Sequence, residues 1–92
     1  MIKSFKHKGL KAFFHEGTTA GIQPKHAARI RMLLTLLDSA AGPDDLGLPG
    51  LGLHPLKGQR KGEWAVTVQA NWRLTFKFLE EGVELVNYED YH

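Results

Sequence analysis

Two segments of this chain concentrate the side chains that can move protons and hold phosphate. "HPLKGQRKG", residues 54–62, carries His54, Lys57, Arg60 and Lys61, and the closing "NYEDYH", residues 87–92, ends in Asp90, Tyr91 and His92. Between them, "NWRLTFKF" contributes Arg73 and Lys77. Cutting an RNA backbone without a metal needs a base for the 2′-hydroxyl proton, cations for the charge that grows on the phosphate oxygens, and an acid for the leaving 5′-oxygen. Histidine titrates near neutrality and suits both proton transfers. Arginine offers phosphate a planar fork of donors and lysine a point charge, while a tyrosine ring can stack an unpaired base.

Taken singly, each residue also has a structural reading. A loop histidine can be a turn partner, and Lys57, Arg60 and Lys61 a hydrated loop. Arg73 can be a strand's solvent-side charge, Asp90 its ion-pair partner, and Tyr88 or Tyr91 a packed aromatic with a wet hydroxyl. Only their conjunction points to chemistry.

Other sites find less support. The histidines at 7, 15, 26, 54 and 92 show no HExxH or Cys/His spacing, so neither a metal nor a cofactor is expected. "GLPGLG", residues 47–52, neither follows a strand nor opens a helix with a lysine, which excludes a phosphate-binding P-loop or a dinucleotide turn. "GTT" at 17–19 lacks the surroundings of a nucleophile.

The elements that must position these residues are legible from periodicity. Ninety-two residues with 42% apolar content imply one domain, residues 1–92, with one core. A short strand is expected at residues 2–5 and a helix at 8–16, where Leu10, Phe13 and Phe14 share a face and Gly17 suits the end. A second helix starts at Pro24, with Ala27, Ile30, Leu34, Leu37 and Ala41 on its apolar stripe and Lys25, Arg29 and Arg31 opposite, and "GP" at 42–43 stops it. Residues 42–62 are rich in glycine and proline and read as a long irregular connection. The period then changes to two. "EWAVTVQ" and "WRLTFKF" alternate apolar with polar residues, and "EEG" turns the chain into a third strand, "VELVNYED". Helices covering one face of an antiparallel meander make an α+β fold. Its other face would be polar and basic, with the C-terminal cluster on or beside it.

Charge is distributed unevenly. All twelve Lys and Arg lie in residues 1–77, while the last fifteen residues hold five acids and no Lys or Arg. A basic surface of this kind suits a polyanion. The absence of cysteine, and of any apolar run long enough for a signal peptide or a membrane span, leads to the expectation of a cytoplasmic protein with no membrane partner.

The opening "MIKSFKHKGL", "LHPLKG" at 53–58, "NWRLTF" at 71–76 and the final "VNYEDYH" together resemble the HigB host-inhibition toxins, the plasmid maintenance killer proteins of the RelE superfamily, over essentially the whole chain. The resemblance implies a RelE-like, microbial-ribonuclease-like fold and a type II toxin that cuts mRNA in the ribosomal A site. It also implies a HigA-type helix-turn-helix antitoxin as partner, with operator DNA reached only through the toxin–antitoxin complex. Matched position by position, the family's active-site residues fall on His54, Lys57, Arg73, Asp90, Tyr91 and His92. Resemblance and chemistry together assign Lys57 and Arg73 to the scissile phosphate and His92, then His54, to proton transfer. Tyr91 is assigned to a nucleotide and Asp90 to orienting a neighbour, with Arg60, Lys61 and Lys77 as further RNA contacts. Gln69 stands where relatives often carry a basic residue, which implies one phosphate contact fewer, with Lys77 near enough to compensate. A non-catalytic module that engages antitoxin or ribosomal RNA through the same basic face is the alternative, and a ribonuclease acting on free RNA is a third.

Overall fold

Alternating side chains in the C-terminal half build the sheet that carries everything else. In the computed structural model, which describes residues 1–91, β1 (His54–Pro55), β2 (Glu63–Gln69), β3 (Trp72–Leu79) and β4 (Gly82–Asp90) form one antiparallel sheet in the order β1-β2-β3-β4. Val66, Leu74, Phe76, Val83, Val86 and Tyr88 are buried beneath the helices. His92 lies outside the described residues.

α1 (Lys8–Glu16) starts at His7, whose ring Nδ1 accepts the Leu10 backbone N–H, and ends at Gly17 in the left-handed region, where the Gly17 N–H closes on the Phe13 carbonyl. α2 (Ala27–Ser39) follows a 3-10 turn at Pro24–His26, so the proline starts the helical segment as its fixed φ favours. Leu10 and Phe13 from α1 and Ile30, Leu33, Leu34 and Leu37 from α2 complete the core. Gly9 and Gly21 approach each other so closely that neither has room for a Cβ. This α+β arrangement, two helices on a four-stranded antiparallel sheet, bears out the fold expected from the sequence.

Three local expectations need correction. Residues 2–5 do not form a regular strand; Ile2 and Phe5 make isolated parallel bridges to Val83 and Val86 beside β4. The helix expected from Pro24 to Ala41 is α-helical only over Ala27–Ser39, since Ala40 is already extended. The long connection is more ordered than its composition suggests. It holds 3-10 turns at Pro43–Leu46 and Gly58–Arg60, and between them His54 and Pro55 pair with Ala65 and Trp64 as a fourth strand. Proline fits there because an edge strand can spare an N–H.

Arg29, on the face of α2 opposite its apolar stripe, fastens this connection to the sheet. Its guanidinium donates to the Gly50 carbonyl at 2.7 Å and the Thr67 carbonyl at 2.9 Å, while the Thr67 N–H donates to the Leu51 carbonyl at 2.9 Å. Gly52 then runs against Thr67 with φ +64°, where a Cβ would stand 2.8 Å from the Thr67 hydroxyl. Two residues further on is His54, so these backbone ties decide where that histidine emerges.

Candidate active site

β1, the edge of β2, the β2–β3 turn and the end of β4 enclose an open cleft of about 480 Å³. His54 and Lys57 stand on one wall, Asn71, Trp72 and Arg73 on the other, and Tyr91 closes the end. Thus residues 54–57, 71–73 and 91 meet at one place, because the antiparallel meander folds the β3 start back beside the connection.

His54 and Lys57 are exposed. The His54 Nδ1 lies 2.9 Å from the Gly52 carbonyl, which can only accept, so Nδ1 carries a proton. In the neutral ring the lone pair therefore sits on Nε2, the form a general base requires. The carbonyl thereby selects the tautomer and orients the ring.

Arg73 is the least exposed cation of the cleft. Its side chain is only 13% exposed, and its Nε is buried with no hydrogen-bond partner among the described residues. The Tyr91 ring lies over the guanidinium, 4.2 Å from carbon to ring centre. Tyr91 reaches that position because its backbone N–H donates to the Asn71 carbonyl at 2.7 Å, which ties the chain end beyond β4 to the β2–β3 turn. A flat cation face against a ring is attractive, and a buried N–H without a partner is a costly state.

Beside Arg73 is a carboxylate cluster. Arg60 grips Glu89 through both oxygens, at 2.6 and 2.7 Å, and Glu63 likewise, at 2.7 and 3.1 Å; Thr75, fully buried, donates its hydroxyl to Glu89. The Arg60 hydrogen bonds, aided by that of Thr75 and opposed by burial, hold the Glu89 carboxyl down to about 2. Glu63 is lowered by the same guanidinium, and Arg60 itself is raised by its two partners.

For Glu89 the folded value lies below the unfolded one, so its contribution to stability is complete above about pH 4.5 and is lost as pH falls toward about 2. With solvent screening taken into account this is worth on the order of 1–2 kcal/mol. Urea unfolding at pH 7 and pH 3 is expected to show a smaller loss of stability for Glu89→Gln than for the wild type. Equal losses would mean that Glu89 is not held in this way.

The remaining expected site residues divide. Asp90 ends β4 opposite Trp72 and is exposed. Lys61 and Lys77 do not line the cleft; Lys77 sits further along β3, its Cα opposite Glu63 and Glu84. Arg60 borders the cleft with its donors turned onto the two carboxylates. His92, assigned to proton transfer, falls outside the described residues.

Behind the cleft lies a polar group that sequence reading did not single out. His26, 1% exposed, receives the Tyr88 hydroxyl hydrogen on Nδ1 at 2.6 Å and donates from Nε2 to the Gln69 side-chain oxygen at 2.9 Å. Burial raises the Tyr88 hydroxyl's pKa above the ordinary phenol value, in keeping with a neutral donor. Gln69 thus provides an acceptor that lysine or arginine could not. The Trp72 ring rests on Tyr88 at 4.6 Å, which connects this network to the cleft wall. The available signal was a histidine directly before the apolar stripe of α2, which does not by itself reveal its partners.

The fold and the cleft define a small α+β protein with a cationic, aromatic-edged site suited to a phosphate-bearing chain. A family model described as the RelE-like toxin of type II toxin-antitoxin system HigB matches residues 3–92, and Endoribonuclease HigB of Proteus vulgaris is 49% identical over 92 residues, covering all of both chains. The chain belongs to this family of RelE-like HigB toxins. As the toxin of a type II pair it has an antitoxin for a partner. No helix among the described residues is long and apolar enough to cross a membrane.

Proposed function

We propose that this chain is an endoribonuclease that cuts mRNA in the ribosomal A site and so stops translation in the cytoplasm. The observation that carries the reading is Arg73: a nearly buried guanidinium with an unpartnered Nε, facing the cleft that also receives His54 and Lys57. The printed name of the Proteus vulgaris relative supports the same reaction class.

In this reading the scissile phosphate enters between Lys57 and Arg73, whose charges match the extra negative charge of the pentacoordinate phosphorus. The 2′-oxygen attacks phosphorus as its proton passes to a base, and the 5′-oxygen leaves with a proton from an acid. His92 and His54 share these transfers, with His92 first and His54 contributing through its exposed Nε2. Tyr91, 57% exposed, offers its outer face to a nucleotide base while its inner face holds Arg73. Asp90 orients a neighbour, and Lys61 and Lys77 approach more distant phosphates. A HigA-type helix-turn-helix antitoxin neutralises the toxin and supplies the operator-DNA contacts of the pair.

Ribosome dependence accords with the open shape of the cleft. Lys57, Arg73 and Tyr91 can hold a strand in the described cleft without enclosing it, and in this reading the ribosome supplies the in-line geometry. Purified protein is expected to cut a defined mRNA on programmed ribosomes with an empty A site and to leave the free mRNA intact. Equal cutting of free RNA would refute the dependence, and tight ribosome binding with no new RNA ends would favour the non-catalytic module.

A further inference from the structure

Glu89 and Arg73 occupy directly opposed positions on β4 and β3. Opposite charges across an antiparallel pair ordinarily close on each other. Here the nearest approach, Arg73 Nη2 to Glu89 Oε1, is 3.9 Å, too long for a hydrogen bond. The reason is on the neighbouring turn. Arg60 takes both Glu89 oxygens, and Thr75 and Asn87 also donate to Oε2, so the carboxylate is held toward Arg60 and away from Arg73.

We propose that Arg60 is a positioning residue: by gripping Glu89 it keeps that carboxylate off Arg73, so that Arg73 remains available to an RNA phosphate. The inference rests on the proposed role of Arg73 and gives Arg60 a task other than the direct RNA contact expected from the sequence. Four of its hydrogen bonds go to Glu63 and Glu89, which leaves little of a five-donor fork for a phosphate. The two cations and two acids of the cluster balance in number, but the pairing is unequal. Arg60 serves both acids, and Arg73 is left with a ring face and an unpartnered Nε. Without Arg60, Glu89 has Arg73 as its nearest remaining cation among the described side chains, and a phosphate would have to displace a carboxylate already in place.

The test is the affinity for a short single-stranded RNA made uncleavable by 2′-O-methylation, read by fluorescence anisotropy, with cleavage on programmed ribosomes measured in parallel. Arg60→Gln is expected to weaken binding about tenfold, equivalent to one competing ion pair. Adding Glu89→Gln to it should restore affinity to within about threefold of the wild type. Arg60→Lys keeps the charge but loses the two-oxygen grip; it should show a loss in the same direction and the same rescue, and it serves in place of Arg60→Gln if that variant does not fold. The control is Glu81→Gln on the Arg60→Gln background, which restores the net charge at an exposed site far from the cluster and should not rescue. A direct Arg60–RNA contact predicts no rescue by Glu89→Gln, and a general charge effect predicts equal rescue by Glu81→Gln; either result overturns the inference. Failure of the wild type to cut mRNA on ribosomes would instead overturn the nuclease reading, while the binding series still decides the role of Arg60.

Discussion

Arg73→Ala lowers the single-turnover rate of mRNA cleavage on programmed ribosomes by about two to three orders of magnitude, the usual cost of removing one preorganised donor from a developing oxyanion. The loss is expected in the rate at saturating ribosome complex more than in the concentration needed to saturate, because the contact strengthens as charge builds on phosphorus. Stability should change little. The nearest ion-pair contact of Arg73 is the loose one to Glu89, and its main packing partner, Tyr91, is half exposed at the chain end. Arg73→Lys separates charge from shape: a lysine there keeps the cation but loses the fork and the flat face under Tyr91, so an intermediate rate is expected. An Arg73→Ala protein that cuts as fast as the wild type would remove the central residue of the proposed mechanism.

His26→Ala is expected to be the most destabilising of the changes considered, by about 3–5 kcal/mol. It would empty a fully buried ring site and leave the Tyr88 hydroxyl without this partner, while the exposed Gln69 turns to water. Each kcal/mol corresponds to about 4–8 °C in melting temperature for a domain of this size. Gln69→Ala should cost about 1 kcal/mol, because Gln69 is exposed and water can replace it, whereas Tyr88→Phe should cost about 1–3 kcal/mol by stranding Nδ1 in the core. Urea unfolding of the three variants gives the order. If His26→Ala unfolded no more easily than Gln69→Ala, the network would not be holding the back of the site. Activity should fall with His26→Ala as well, since Trp72 rests on Tyr88 and forms part of the cleft wall.

What the sequence by itself determined was whatever local chemistry dictates. The bounds of α1 followed from apolar spacing and a terminal glycine, and the alternation of β3 from its side chains. His54, Lys57, Arg73 and Tyr91, which line the cleft, followed from the motifs taken together and from the resemblance they carry. The register of two-residue β1 was not legible, because pairing of so short a strand comes from its neighbour rather than its own pattern. Nor were the partners of the polar side chains. Arg60 and Glu89 are 29 residues apart and His26 and Tyr88 are 62 apart, and each had several equally plausible partners along the chain. Only the tertiary fold, by bringing a turn, two strands and a helix start to bonding distance, decided that Arg60 would hold an acid, that Gln69 would serve a histidine, and that Arg73 would stand 3.9 Å from Glu89, beyond hydrogen-bond reach.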